Sequence, residues 1–260
     1  METLGEILKS ILTKSPGRSN SERLRLLPET PPSCLNCLDE GGIWMSVGGM
    51  TNTRDIAWRE CACPAGQRKS GLKLDRAFAA SGLPRSEPPK TFDNFVALPG
   101  VEASLEIARA YARNLHDRPV LTLNGVRGCG KSHLLEAIGR YVLARGISVR
   151  YTVGASLLDE LRASYDSDSK DSFQEVFDSY DRAGLLILDD PGAEAATVWG
   201  MEKLFTLVNN RCKNRRPLVI GTNLDFRKMQ DHLGPRTADR VWDTGSGLAT
   251  VVVITAPSYR

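Results

Sequence analysis

Eight consecutive residues, Gly125-Val126-Arg127-Gly128-Cys129-Gly130-Lys131-Ser132, match the spacing G-x-x-x-x-G-K-[ST] without a mismatch. Glycines at these spacings permit positive φ angles, so successive backbone N–H groups can turn inward around a β-phosphate. Lys131 offers an ammonium to the β- and γ-phosphates, and Ser132 offers a hydroxyl to Mg²⁺. The apolar run Val120–Asn124 leads into the loop, and a helical stretch that includes Leu134–Leu143 leaves it. The helix start, where His133 stands, adds unpaired N–H donors and partial positive charge. Residues 125–133 are therefore the candidate nucleotide-binding residues, with ATP and Mg²⁺ as the expected ligands.

Two carboxylates belong to the same chemistry. Leu185-Leu-Ile-Leu-Asp189-Asp190 is an apolar strand ending in acids, and a parallel sheet would end it at the edge where the phosphate loop lies. Asp189 is the candidate Mg²⁺ carboxylate, beside Ser132. Asp190 is placed to orient or deprotonate an attacking water, a task Glu194 could share. The plainer reading is a strand end capped by two solvated acids. A third strand, Leu218–Gly221, runs into Thr222 and Asn223, and Asn223 can hydrogen-bond the γ-phosphate or the water. Arg236 and Arg240, at i and i+4, share one helix face. Such a pair is ordinarily a solvated surface, but in an oligomeric NTPase a guanidinium can reach a neighbour's γ-phosphate.

The cysteines suggest a second centre. Cys34-Leu-Asn-Cys37 and Cys61-Ala-Cys63 form two short knuckles, and four thiolates suit a closed, structural tetrahedral Zn²⁺ site. The C-x-C knuckle is tighter than usual, and unmetallated or redox-active thiols are the alternatives. Cys129 occupies a variable loop position that takes a small residue, and Cys212 reads as a core thiol. His116, His133 and His232 show no metal-ligand spacing.

These residues need a scaffold, and the pattern supplies an α/β one. Helical stretches alternate with β-rich runs at Val120–Asn124, Ser148–Val153, Leu185–Asp189, Leu218–Gly221 and Thr250–Thr255, which implies a five-stranded parallel sheet covered on both faces by helices. The expected organisation is an amphipathic helix and linker over 1–30, with Leu4, Ile7, Leu8, Ile11 and Leu12 on one stripe, and a zinc-binding segment over 31–75. A linker over 76–91 and an ATPase domain over 92–260 follow. The 260 residues are 41% hydrophobic and 25% charged with a net charge of +3, which permits a phosphate-bearing partner without indicating one. No apolar run approaches the ~20 residues of a membrane span, and no signal peptide is read. A reducing cytoplasm is the expected compartment.

Taken together, these residues resemble the AAA+ ATPases of the DnaC/IstB group, which contains bacterial and phage replicative helicase loaders and the ATPase helpers of insertion-sequence transposases. The resemblance runs from about Cys34 to Arg260. Besides the motifs above it includes Ser81-Gly-Leu-Pro84, Thr91-Phe-Asp-Asn-Phe95 and the ending Ser258-Tyr-Arg260, and it departs from the group at Pro191, where leucine is common. It implies a P-loop AAA+ core without the helical lid, Asn223 as sensor, and Arg240, with Arg236 nearby, as arginine finger. It further implies homo-oligomeric spirals or rings that grip single-stranded DNA through residues 155–182, with Arg162, Lys170 and Arg182 as contacts. The implied activity is ATP-dependent delivery of a replicative helicase, grasped by residues 1–75, onto single strands. The alternative is a transposition helper that assembles on duplex DNA and recruits a transposase. A binding module with a purely structural nucleotide is a third class, and the paired carboxylates speak against it.

Overall fold

The structure is a computed structural model that describes residues 33–34, 42–46, 56–165, 171–192, 197–256 and 258–259, with backbone alone for 42–46 and 56–60. The helix expected within 1–30, Cys37, Lys170, Glu194 and Arg260 lie outside the described residues. The chain divides into two compact units, Met1–Leu72 and Lys73–Arg260.

In the first unit, β1 (Gly42–Ser46) and β2 (Ile56–Glu60) form an antiparallel pair with Gly42 opposite Glu60 and Ser46 opposite Ile56. This register returns the chain after Glu60 to the Gly42 end of β1, and the C-x-C knuckle lies close to Cys34. Helix α1 (Pro64–Ser81) follows directly, with proline at its first position, where the missing N–H costs no hydrogen bond. Its sequence signal is faint because few apolar residues define a stripe. Leu72 and Leu74 are 57% and 44% exposed. Helix α1 therefore runs through the boundary expected at 75/76, and the stretch expected as a linker over 76–91 is helical as far as Ser81.

The second unit continues with α2 (Glu102–Arg113), β3 (Val120–Gly125), α3 (Lys131–Ala144), β4 (Val149–Val153), α4 (Gly154–Ala163), α5 (Phe173–Asp181), β5 (Leu185–Asp189), α6 (Val198–Lys213), β6 (Leu218–Thr222), α7 (Phe226–Leu233), α8 (Pro235–Trp242) and β7 (Ala249–Ile254). The five strands β3 to β7 form one parallel sheet in the order β4-β5-β6-β3-β7. The five expected strands are thus present, with ends that differ by at most one residue.

Each central strand is buried on both faces, which is why it reads as an unbroken apolar run. Leu121, Leu123, Leu185, Ile187 and Val219 pack against α2 and α3. Leu186, Leu188, Leu218 and Ile220 face the opposite layer of α4 to α8. Local side chains start several of the helices. Ser172 and Glu175 close a capping box on α5, Thr197 accepts from Gly200 at α6, and Asp225 accepts from Lys228 at α7. Among the described residues no helix is long and apolar enough to cross a membrane.

Residues 82–91 are a strap laid along α3. Its anchor is Glu136, fully buried, whose carboxylate pairs with Arg140 (2.8 Å) and accepts from the Ser86 hydroxyl and the Lys90 N–H. Arg140 in turn donates to the carbonyl oxygen of Pro84 at 2.8 Å and lies 4.8 Å from the Phe78 ring centre. A charged residue in the phosphate-loop helix thereby fixes the segment that carries Thr91 and Phe95 toward the site.

Candidate nucleotide site

Strand β3 ends at Gly125 and α3 begins at Lys131, so the glycine-rich loop fills the turn between them. Gly128 (φ 83°) and Gly130 (φ 95°) are left-handed, a conformation that strains any side chain. Gly125 is needed for closeness instead: a Cβ there would stand 2.8 Å from the Cys129 sulfur and 2.9 Å from the Ile254 carbonyl oxygen. Cys129 is fully buried beneath the loop, consistent with the expected small side chain. Lys131 Nζ donates to the carbonyl oxygens of Gly125 (2.7 Å) and Val126 (2.8 Å), which holds its charge over the loop.

Two clefts meet at this loop and share Gly128, Lys131 and Ser132. The first, of about 380 Å³, is walled by Phe95, Val96, His133 and Tyr259. The ring of Phe95 sets its edge against His133 (centroids 4.9 Å apart) and against Tyr259 (6.1 Å). His133 Nε2 lies 2.9 Å from the Thr91 carbonyl oxygen and ties the strap down. Tyr259 donates its N–H to the Gly128 carbonyl oxygen (3.0 Å) and its hydroxyl to that of Val96. The second cleft, of about 350 Å³, is lined by Arg127, Val153, Asp189, Asp190 and Asn223 in addition to the shared residues. An aromatic slot on one side of the glycine loop, and carboxylates on the other, match the two ends of a nucleoside triphosphate.

The carboxylates are held differently. Asp189 ends β5, and the Tyr151 hydroxyl donates to its Oδ2 at 2.8 Å. Burial, and then the charge and hydrogen bond of Asp189, push the Tyr151 hydroxyl well above its ordinary pKa, so it stays protonated as a donor. Asp190 has a left-handed backbone (φ 46°). Pro191 follows, packed so closely on α4 that a Cβ on Gly154 would stand 2.5 Å from its Cα.

The structure brings Lys131, Ser132, Asp189, Asp190 and Asn223 to one cleft, as the residue pattern anticipated. Arg236 and Arg240 stand apart on α8 and line neither cleft. Arg236 is exposed, while Arg240 is close enough to Cys212 and Asp243 for its charge to bear on both thiol and carboxyl. Burial dominates at Cys212 and pushes it up to about 11, in keeping with a core thiol. Arg162 and Arg182 each pair with an acid of their own helix, Asp159 at 3.5 Å and Asp178 at 2.9 Å. Sequence reasoning missed Phe95, Tyr259 and Tyr151 as parts of the site. None has a motif spacing to the loop; Phe95 and Tyr259 fall in the family-like segments Thr91–Phe95 and Ser258–Arg260, without a site role attached to them.

In the N-terminal unit, the sulfurs of Cys34, Cys61 and Cys63 all lie within 4.8 Å of one another, with Cys34 and Cys61 3.7 Å apart. Zn–S bonds of about 2.3 Å make a tetrahedron with edges of roughly 3.8 Å, so this separation fits zinc ligation. The Gly66 N–H at the start of α1 donates to the Cys63 sulfur at 3.4 Å. Cys37, the fourth expected ligand, lies outside the described residues.

Comparison with known proteins agrees with the fold and the loop. A family model described as IstB-like ATP binding protein matches residues 104–260. The replicative helicase loader DnaC of Escherichia coli K12 is 26% identical over 191 residues, covering 73% of this chain and 76% of that protein. DnaC of Buchnera aphidicola from Schizaphis graminum is 24% identical over 177 residues, covering 67% and 72%. Among solved structures, a crystal structure of the DnaC helicase loader superposes with a TM-score of 0.57 at 20% identity, covering 64% of this chain and 97% of that one. AMPPCP-bound DnaA from Aquifex aeolicus gives a TM-score of 0.59 at 21% identity, with coverages of 68% and 52%. These structures share the P-loop AAA+ fold. With a glycine loop, a carboxylate-ended strand and a family match over the greater part of its length, the chain belongs to the IstB-like ATP-binding proteins.

Proposed function

We propose that the chain is an ATP-hydrolysing helicase loader: it binds ATP, assembles with copies of itself, engages single-stranded DNA and delivers a replicative helicase. The observation that carries the ATPase part is the shared cleft in which Asp189 and Asp190 face Lys131 and Ser132. A site that only held nucleotide would have no use for a second carboxylate there. Lys131 and the loop N–H groups bind the phosphates, and Ser132 and Asp189 are the residues that would hold Mg²⁺. Magnesium held there would neutralise phosphate charge. Asp190 orients the attacking water and accepts its proton, and Asn223 senses the γ-phosphate. Arg240, or Arg236 one turn earlier, would serve a neighbouring copy, which accords with their distance from the clefts of their own chain.

The helicase-loading part is supported by the relatives named replicative helicase loader. The N-terminal residues 1–75 are assigned to grip the helicase, with Zn²⁺ on Cys34, Cys37, Cys61 and Cys63 as a structural clip. The second reading, a transposition helper that assembles on duplex DNA, draws support from the IstB-like family match. ATP turnover and oligomer size, measured with single-stranded and duplex DNA on the chain and its Lys131→Ala variant, test the proposal. Assembly that needs ATP, is stimulated by single strands and is lost in the variant supports the loader. Filaments on duplex DNA alone support the helper. Turnover indifferent to DNA sinks both.

A further inference from the structure

We propose that Tyr151 is the positioning residue for Asp189, and that the response of this site to magnesium therefore depends on strand β4. The inference rests on the reading of Asp189 as the magnesium carboxylate. Strand β4 pairs with β5 so that Val153 stands opposite Asp189 and Tyr151 opposite Ile187. Side chains two residues apart share a face, so Tyr151 and Asp189 project to the same side, the one packed on α3. They are diagonal rather than direct neighbours, and such diagonals are roughly 7–8 Å apart at the backbone, a gap that only a long side chain closes. Tyrosine closes it, with its hydroxyl 2.8 Å from Asp189 Oδ2.

The other flank of Asp189 is equally determined. Gly221 is its partner across β5 and β6, and a Cβ on Gly221 would lie 3.1 Å from Oδ1 and 2.6 Å from Leu135 Cδ1. One oxygen is thus fixed by a donor and the other rests against bare backbone. The plane of the carboxylate is set before any cation arrives. Helix α3, whose first turn carries Ser132, packs on this same face, so both magnesium-facing groups are oriented by one layer. Outer groups that orient metal-binding side chains typically carry 10–100-fold in metal affinity. A tyrosine serving only to fill space would affect folding and leave the magnesium response alone.

The test uses the full chain and a fluorescent ATP analogue, titrated with Mg²⁺ and, separately, in EDTA. For Tyr151→Phe, affinity in EDTA is expected within about twofold of the parent, while half-saturating Mg²⁺ rises about tenfold. Excess Mg²⁺ is expected to restore affinity. An unchanged half-saturation overturns the proposal, as does a loss of equal size with and without Mg²⁺. A tighter magnesium response also overturns it, since the hydroxyl would then merely be drawing on the carboxylate's charge. Tyr151→His retains a donor of shorter reach and serves as the second variant if phenylalanine prevents folding, with the same expected and overturning results. Parent protein whose nucleotide affinity ignores Mg²⁺ overturns the reading of Asp189 and Tyr151 with it. A responsive parent matched by the variants overturns Tyr151 alone.

Discussion

Asp190 donates its backbone N–H to the carbonyl oxygen of Gly221, 2.8 Å away, while its own φ is held at 46°. The bond extends the β5–β6 ladder one residue past Asp189 and turns the chain sharply there. A non-glycine residue in this region carries a backbone cost of about 1–3 kcal/mol, tolerated where the surroundings enforce it. Asp190→Gly is therefore expected to raise stability by about 1 kcal/mol in urea unfolding while abolishing ATP turnover. Asp190→Asn, which tolerates the same backbone, is expected to keep nucleotide affinity and lose turnover by about 100-fold or more. Normal turnover in the asparagine variant would remove Asp190 as the base and point to Glu194.

Lys131→Ala is expected to abolish the rise in melting temperature that ATP gives the parent protein. A ligand at a hundred times its Kd stabilises by about 2.7 kcal/mol, which a thermal scan resolves readily. Without nucleotide the variant is expected within about 1 kcal/mol of the parent, because the Lys131 contacts to the Gly125 and Val126 carbonyls are partly buried and exposed, respectively. An ATP-induced shift that survives in the variant would remove Lys131 from the phosphate site.

Gly221→Ala places a methyl 2.6 Å from Leu135 Cδ1 and 3.1 Å from Asp189 Oδ1. Overpacking of this kind costs about 1–3 kcal/mol. The same crowding is expected to displace the carboxylate, so a higher half-saturating Mg²⁺ should accompany the loss of stability. Chemical denaturation and a magnesium titration read the two effects separately.

Glu136→Ala strands Arg140 on a partly buried surface and frees the strap at Ser86 and Lys90. Removing one partner of such a pair costs about 3 kcal/mol. Hydrogen exchange is expected to accelerate at the Lys90 amide. The Phe95 side of the first cleft should loosen with it, which would appear as a raised Kd for ATP. Unchanged exchange at Lys90 would contradict the anchoring role.

Cys34→Ser and Cys61→Ser are each expected to release zinc from purified protein, measured by elemental analysis, and to remove a zinc-dependent unfolding step of the N-terminal unit. Nucleotide affinity is expected to stay unchanged, since the phosphate loop and its clefts are built wholly from the second unit. Parent protein purified and refolded with zinc but holding none would defeat the proposed site.

The parts of the molecule legible in the sequence were those whose constraint is local. Lys131 and Ser132 are tied to Gly125 and Gly130 by loop geometry, and Asp189 to Leu185–Leu188 by a strand buried on both faces. Phe95 and Tyr259 were not legible as site residues, because their convergence on Gly130 depends on a strap and a tail folded against the loop from distant parts of the chain. Helix α1 escaped notice because its apolar residues are too sparse to form a periodic stripe. Glu136 was equally opaque, since nothing near it in sequence says that a glutamate within the apolar α3 run Leu134–Leu143 is buried and matched to Ser86 and Arg140. Tyr151 looked like one more aromatic strand residue until the register of β4 on β5 set it diagonal to Asp189.

The strand order has a further consequence during synthesis. Strand β3, fourth in the order, is hydrogen-bonded on one side to β6 and on the other to β7, with Val120 opposite both Leu218 and Ala249. Neither neighbour exists when β3 leaves the ribosome. At 5–20 residues per second, on the order of ten seconds pass before β7 is available. Until β6 emerges, Val120–Leu123 lacks both of its sheet neighbours, while β4 and β5 can already pair with each other. The sheet beneath the phosphate loop is therefore completed only after β7 has been made, well after the loop itself.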